Sequence, residues 1–216
     1  RHISGHLGYA NSRMLELAGV TDDTKDPEGG HFQRDENGRV TGCMEETANF
    51  AVGAVLPFAD PEVMRAGAEA ISNHCLSVGT TSMTDAAVMA ESMYAVYQAG
   101  VEDGTIRVRT RIFPSWRYSD SLPLRTGLGD ERLSIGALKF ISDGSIQGYT
   151  ACLCKGYHDR PDLNGYPVIP SDQLAEMVAD AHAKGWQVAI HANGDQAIDN
   201  SLDAIEAAIE ANPRDD

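Results

Sequence analysis

Trp186-Gln187-Val188-Ala189-Ile190-His191-Ala192-Asn193-Gly194-Asp195 is the stretch that decides the fold class. Its apolar run reads as a buried parallel strand that delivers an imidazole to the mouth of a sheet, and the residues after His191 read as a tight turn into a helix. About fifty residues earlier, Ile135-Gly136-Ala137-Leu138-Lys139-Phe140-Ile141 has the same shape and ends in Ser142-Asp143-Gly144-Ser145. A lysine inside an apolar strand must be neutralised, paired or chemically modified, because an ammonium in an apolar site is costly. Two polar groups on such strands place a candidate catalytic centre at the C-terminal edge of a parallel sheet.

Between and around these strands the chain alternates helix and strand. Asp60-Pro61-Glu62 is a helix start, with Asp60 as N-cap and Pro61 in the first turn; Val63, Ala66, Ala70, Ile71 and Leu76 are its expected apolar face. A strand over 80–85, a helix over 89–104, a strand over 106–113 closed by Pro114, and a short helix over 119–126 follow. Residues 143–170 are too long for an ordinary strand-to-helix turn, and segments of that length are commonly functional. Ser171 opens the next helix, and residues 196–212 form the last one, with Ile198, Leu202, Ile205 and Ile209 as its expected apolar stripe. Successive strand-helix units of this kind predict a parallel α/β layer over 61–216. Residues 1–60 lack that rhythm and read as an inserted rim segment, with a β-hairpin over 30–42 whose tip is Asn37-Gly38.

Composition narrows the function classes. The chain has 216 residues, enough for a sizeable core, and 42% hydrophobic content. No apolar run approaches a membrane span and no signal peptide is visible. A net charge of −15, from 32 acidic and 17 basic residues, argues against nucleic acid or an anionic membrane as partner. Cys43, Cys75, Cys152 and Cys154 match neither a disulfide framework nor a paired C-x-x-C zinc site; they read as reduced, buried or half-buried residues of a cytoplasmic protein. The start at Arg1 and the end straight after a helical pattern read as those of an internal piece of a longer chain.

Taken in order, Ser4-Gly5-His6 with Asn11-Ser12, Arg39-Val40-Thr41-Gly42 with Glu46, Gly79-Thr80-Thr81-Ser82 with Asp85, Lys139 with Asp143-Gly144-Ser145, and His191-Ala192-Asn193-Gly194-Asp195 together resemble the amidohydrolase superfamily, in its branch of N-substituted formamide deformylases. The resemblance implies a metal-bearing (β/α)8 barrel of the TIM type, here about strands 2 to 5 with the α+β rim segment inserted. It implies hydrolysis of a C–N bond in a small amide or formamide by metal-activated water. It carries Lys139, as a carboxylated bridging ligand, and His191 over as ligands of a divalent metal, zinc by expectation. His6 becomes a substrate contact, and Asp143 a group that orients a ligand or donor. The superfamily's His-x-His pair does not occur in this sequence. A competing reading is therefore a non-catalytic α/β fragment or ligand-binding domain, inactive for want of the other ligands. A small molecule is the expected partner, and the exposed edges of an open half-barrel would favour a homo-oligomer. Asp85, like Asp143, could orient a ligand or donor or equally cap the next turn, and His6 could instead stabilise its turn; Glu46 could face the pocket but reads first as a surface carboxylate, and Trp116 and Tyr149 could line a pocket wall but read first as packing residues.

Overall fold

The computed structural model describes residues 2–56, 60–118 and 124–215. In chain order the elements are β1 (Leu7–Tyr9), α1 (Ser12–Leu17), β2 (Gly30–Arg34), β3 (Val40–Glu46), α2 (Thr47–Gly53), α3 (Pro61–Ser77), β4 (Ser82–Val88), α4 (Glu91–Glu102), β5 (Arg109–Pro114), β6 (Leu133–Ile135), β7 (Leu138–Ile141), α5 (Ser171–Ala183), β8 (Val188–His191) and α6 (Asp195–Ala211). This is a mixed α/β fold with parallel sheets. It divides into two compact units, one of residues 1–57, 141–179 and 190–216, the other of 58–140 and 180–189.

In the first unit, β1, β3 and β2 form an antiparallel sheet in that order. The expected hairpin is β2 and β3. Asp35 closes its tip by accepting the N–H groups of Asn37 and Arg39, each at 2.9 Å. Phe32 and Met44 from the two strands pack with Ala48 and Val52 of α2 into a buried cluster, against which Met14 of α1 also lies. Helix α2 was not expected from the sequence: it starts directly from β3 at Glu46, which makes no side-chain cap, so no capping signature announces it. Asp26 anchors the outer strand. It accepts Phe32 N–H at 3.0 Å, His31 Nδ1–H at 2.8 Å and Arg34 Nη1–H at 2.9 Å.

In the second unit, β4, β5 and β6 are parallel, in that order. Alternate burial of Thr110, Ile112 and Pro114 against exposed Arg109 and half-buried Phe113 matches the expected one-sided strand. The lysine strand is shorter than expected and split in two. Leu133–Ile135 pairs with β5, the chain shifts at Gly136, whose N–H donates to Ile112 O at 2.9 Å, and β7 begins only at Leu138. Beyond the shift Lys139 forms a parallel bridge with Ser115, and Leu138 N–H donates to Gln187 O at 2.8 Å, beside β8. Lys139 stands on β7, and His191 ends β8.

Two helices bury a stripe other than the one expected, in α6 about one residue round from it. In α3, Val63 and Ile71 are exposed at 64% and 56%, whereas Ala68 and Ser72 are buried. Ser72 Oγ accepts the N–H groups of Arg107 and Val108 at 2.9 and 3.3 Å, and small side chains let the helix backbone approach that segment closely. In α6, Ala197, Ser201, Ala204 and Ala208 are buried while Ile198, Leu202 and Ile209 are exposed. The expected helix over 119–126 falls largely outside the described residues, and 124–126 are not helical. Among the described residues no helix is long and apolar enough to cross a membrane.

The hydrogen bonds from His31, Phe32 and Arg34 outweigh burial and hold the Asp26 carboxyl down at about 2. A folded-state value below the unfolded one gives stability that is present above pH ~4 and lost as pH falls towards 2. Asp26→Asn should therefore cost about 1 kcal/mol at neutral pH and flatten the acid limb of the stability profile in that window, read by urea denaturation at pH 2 to 7. An unchanged acid limb would contradict this role for Asp26.

Candidate active site

Asp143 follows β7 and is fully buried. Its Oδ1 accepts Asn193 N–H at 2.9 Å; its Oδ2 accepts Cys152 N–H at 2.9 Å and Gly194 N–H at 2.8 Å. One carboxylate thus ties the segment after β7, the loop at Cys152 and the turn after β8. The joint is tight enough to require glycine: a Cβ on Gly194 would lie 1.8 Å from Cys152 O. Ser142 adds a second fastening, donating N–H and Oγ–H to His191 O at 2.9 and 2.6 Å.

These contacts aim His191. Its Nε2 lies 3.0 Å from Gly144 O, which also accepts Asn193 Nδ2–H at 2.9 Å. A carbonyl oxygen can only accept, so the shorter contact is made by the tautomer with its proton on Nε2; Asn193 Nδ2 lies 3.3 Å from the same nitrogen. Asp143 Oδ1 is 3.9 Å from Nε2, too far for a hydrogen bond.

His6 stacks on His191 with ring centroids 4.8 Å apart and planes at 28°. It is held by Glu46 through two contacts, Glu46 N–H to His6 O at 2.9 Å and His6 Nδ1–H to Glu46 Oε2 at 2.7 Å. The carboxylate fixes the proton on Nδ1 and leaves the lone pair of the neutral ring on Nε2. Glu46 is only 3% exposed, which corrects its reading as a surface carboxylate. The cause is Thr150, whose hydroxyl donates to Glu46 Oε1 at 2.6 Å from the far side of the loop after β7. Glu46 also takes a backbone conformation rare for a side-chain-bearing residue, φ 47° and ψ −117°. Such strain persists only where surrounding contacts over-determine it, and it clusters at functional sites. Gly144 lies against the same pair: a Cβ there would meet Thr150 Oγ1 at 2.0 Å and Glu46 Oε1 at 2.2 Å.

His6, Asp143 and His191 are therefore brought together in the first unit, with Glu46, Thr150 and Asn193 as partners that the sequence did not single out for this role. Lys139 belongs to the second unit. It is half-buried, and burial pushes its ammonium below the usual lysine range. Of the softer candidates, Asp85 accepts Tyr97 Oη–H at 2.6 Å and Ala87 N–H at 3.3 Å, a packing role within the second unit. Arg117 stacks over Trp116 at 4.7 Å. Cys152 and Cys154 are both free thiols off any strand, the first buried and the second exposed.

As a resident metal centre these donors fall short. Among the described residues no group of three or more His, Cys, Asp or Glu side chains is arranged to hold a metal ion. The oxygens of Asp143 and Glu46 are engaged by backbone N–H groups, His6 and Thr150, which leaves imidazoles as the donors of the first unit. A catalytic zinc centre takes three protein ligands.

Comparison with known proteins places these features in context. The amidohydrolase family model matches residues 1–216. YtcJ of Bacillus subtilis (strain 168), provisionally named an amidohydrolase, is 30% identical over 100% of this chain and 42% of its own length. The N-substituted formamide deformylase of Arthrobacter pascens is 29% identical over 94% of this chain and 40% of its own. An uncharacterized metal-dependent hydrolase from Pyrococcus horikoshii OT3 superposes with a TM-score of 0.69 at 27% identity, over 94% of this chain and 40% of the other. The chain thus spans about two fifths of the length of these relatives.

Burial against charge makes Lys139 a cost to the fold. Because its folded value lies below the unfolded one, stability should rise as pH climbs towards ~10.5 and be lowest where the lysine is charged in both states. Lys139→Met should raise Tm by ~2–4 °C at neutral pH, measured by calorimetry. A fall in Tm would show that the ammonium contributes stabilising contacts.

Proposed function

Since the chain belongs to the amidohydrolase family, as the match over its full length shows, we propose that it acts in a divalent-metal hydrolase that breaks a C–N bond of a small amide or formamide with water. The observation that carries this reading is the His191 imidazole at the end of β8, stacked on His6 and set by the turn that Asp143 holds. The named relatives include a formamide deformylase and a metal-dependent hydrolase, which supports the reaction class over a non-catalytic ligand-binding domain. The barrel expected from the sequence, with this chain as about strands 2 to 5, belongs to the same proposal. So do a small-molecule substrate and a cytoplasmic site of action.

In this reading Lys139 and His191 supply two donors of a centre that needs more. A divalent ion held there, zinc by preference, would lower the pKa of a water and polarise the substrate carbonyl. The depressed ammonium of Lys139 raises the share of free amine. That neutral amine can add carbon dioxide, forming an N–C bond to a carbamate and releasing one proton to solvent; counted from the ammonium, two protons leave and a cation becomes an anionic oxygen ligand. Asp143 and Ser142 hold the turn that presents His191. His6, its proton kept on Nδ1 by Glu46, offers the Nε2 lone pair as an acceptor for a substrate N–H or as a base for a proton in transit.

The test is metal content and amide hydrolysis of the intact, metal-loaded protein beside His191→Ala and Lys139→Ala, assayed on N-substituted formamides and simple amides. Each substitution should reduce activity by about 100-fold or more, with a parallel loss of bound metal. Unchanged metal content and turnover in both variants would overturn the assignment. Loss in His191→Ala alone would remove Lys139 from the centre.

A further inference from the structure

The side of β3 that carries Glu45 faces away from the His6–Glu46 pair, because successive strand residues point to opposite faces. On that side the first unit has a cavity of about 450 Å³, open to solvent and lined among others by His31, Gln33, Glu45, Tyr149, Arg160 and Tyr166. This is within the usual size range of small-molecule sites. We propose that this cavity binds a small organic molecule through a primary ammonium group, with Glu45 as the counter-charge.

Charge and hydrogen-bonding capacity both favour an ammonium. Glu45 accepts from Gln33 Nε2–H at 2.6 Å and from Tyr166 Oη–H at 3.1 Å, both neutral donors, and among the described residues no cation pairs with it. Arg160, the cation of the lining, is occupied: Asp162 takes its Nε–H at 3.2 Å and its Nη2–H at 3.0 Å. Those two charges cancel and leave the Glu45 carboxylate as the net charge of the cavity. The Tyr166 phenol reports the same field. Burial, then Glu45 and Glu46, push it well above the usual tyrosine range. A carboxylate can accept about four hydrogen bonds, so two positions on Glu45 remain for an incoming N–H group. Tyr166, edge-on to His31 at 4.6 Å, and Tyr149 supply aromatic wall for the body of the ligand and quadrupole attraction for its cation. An anion would meet Glu45 with no unpaired cation to offset it. The site stands whether or not the chain hydrolyses amides.

The full chain is titrated with benzylamine, and with benzoate and benzyl alcohol as anionic and neutral probes of the same size, by calorimetry and by amide-resolved NMR. Benzylamine should bind, shift the resonances of Gln33, Glu45 and Tyr166, and outcompete both other probes. Glu45→Gln should weaken it about tenfold or more, and Glu45→Asp less. Equal binding of benzoate or benzyl alcohol, no binding of benzylamine, or shifts confined to other residues would overturn the proposal. So would unchanged benzylamine affinity in a folded Glu45→Gln protein. Should that variant not fold, probe selectivity and shift mapping in the unsubstituted chain decide the matter.

Discussion

A buried carboxylate with three backbone N–H groups around it holds the first unit's site together. Asp143 is out of contact with water, and the N–H groups of Cys152, Asn193 and Gly194 replace its hydration. Hydrogen bonds to a charged acceptor are stronger than neutral ones, and removing the acceptor would strand all three donors inside the protein. Because the donors come from segments far apart in the chain, the bonds act as a clamp between loops that share no sheet ladder. His191 inherits its position from this clamp, through the turn at Asn193 on one side and Ser142 on the other.

The chemistry of the site is set by which groups are committed and which remain available. Glu46 and Asp143 are both buried acids whose oxygens are already hydrogen-bonded within the protein. Each is spent on orienting something else, Glu46 on His6 and Asp143 on the turn after β8. Two stacked imidazoles meet there, His6 with Nδ1 against Glu46 and His191 with Nε2 against Gly144 O. Adjacent acids on β3 diverge in role because the strand pleat separates them: Glu46 turns to His6, Glu45 to the cavity lined by Tyr166.

The strands that carry Lys139 and His191 were legible because each is a short apolar run that holds a single polar group. The hairpin was legible for a similarly local reason, its Asn37-Gly38 tip. Glu46 was misread because its partners are remote: His6 lies 40 positions away and Thr150 104, and no local pattern shows that a loop will fold over it. The helix faces of α3 and α6 failed in another way. Periodicity finds an apolar stripe and a small-residue stripe on one helix, but only the tertiary partner decides which is buried, and Ser72 shows the small stripe chosen for close backbone approach. The break between β6 and β7 was hidden inside one continuous apolar run.

The central claim is that Asp143 clamps three loop segments and thereby sets His191, and native-state hydrogen exchange reads it directly. The amides of Cys152, Asn193 and Gly194 lie outside helices and strands, so without the clamp they should exchange like ordinary loop amides. With it, all three should be protected with an opening free energy near that of global unfolding, and should lose protection together in Asp143→Asn while the β2–β3 hairpin amides keep theirs. Fast, independent exchange of the three in the unsubstituted protein would contradict the account.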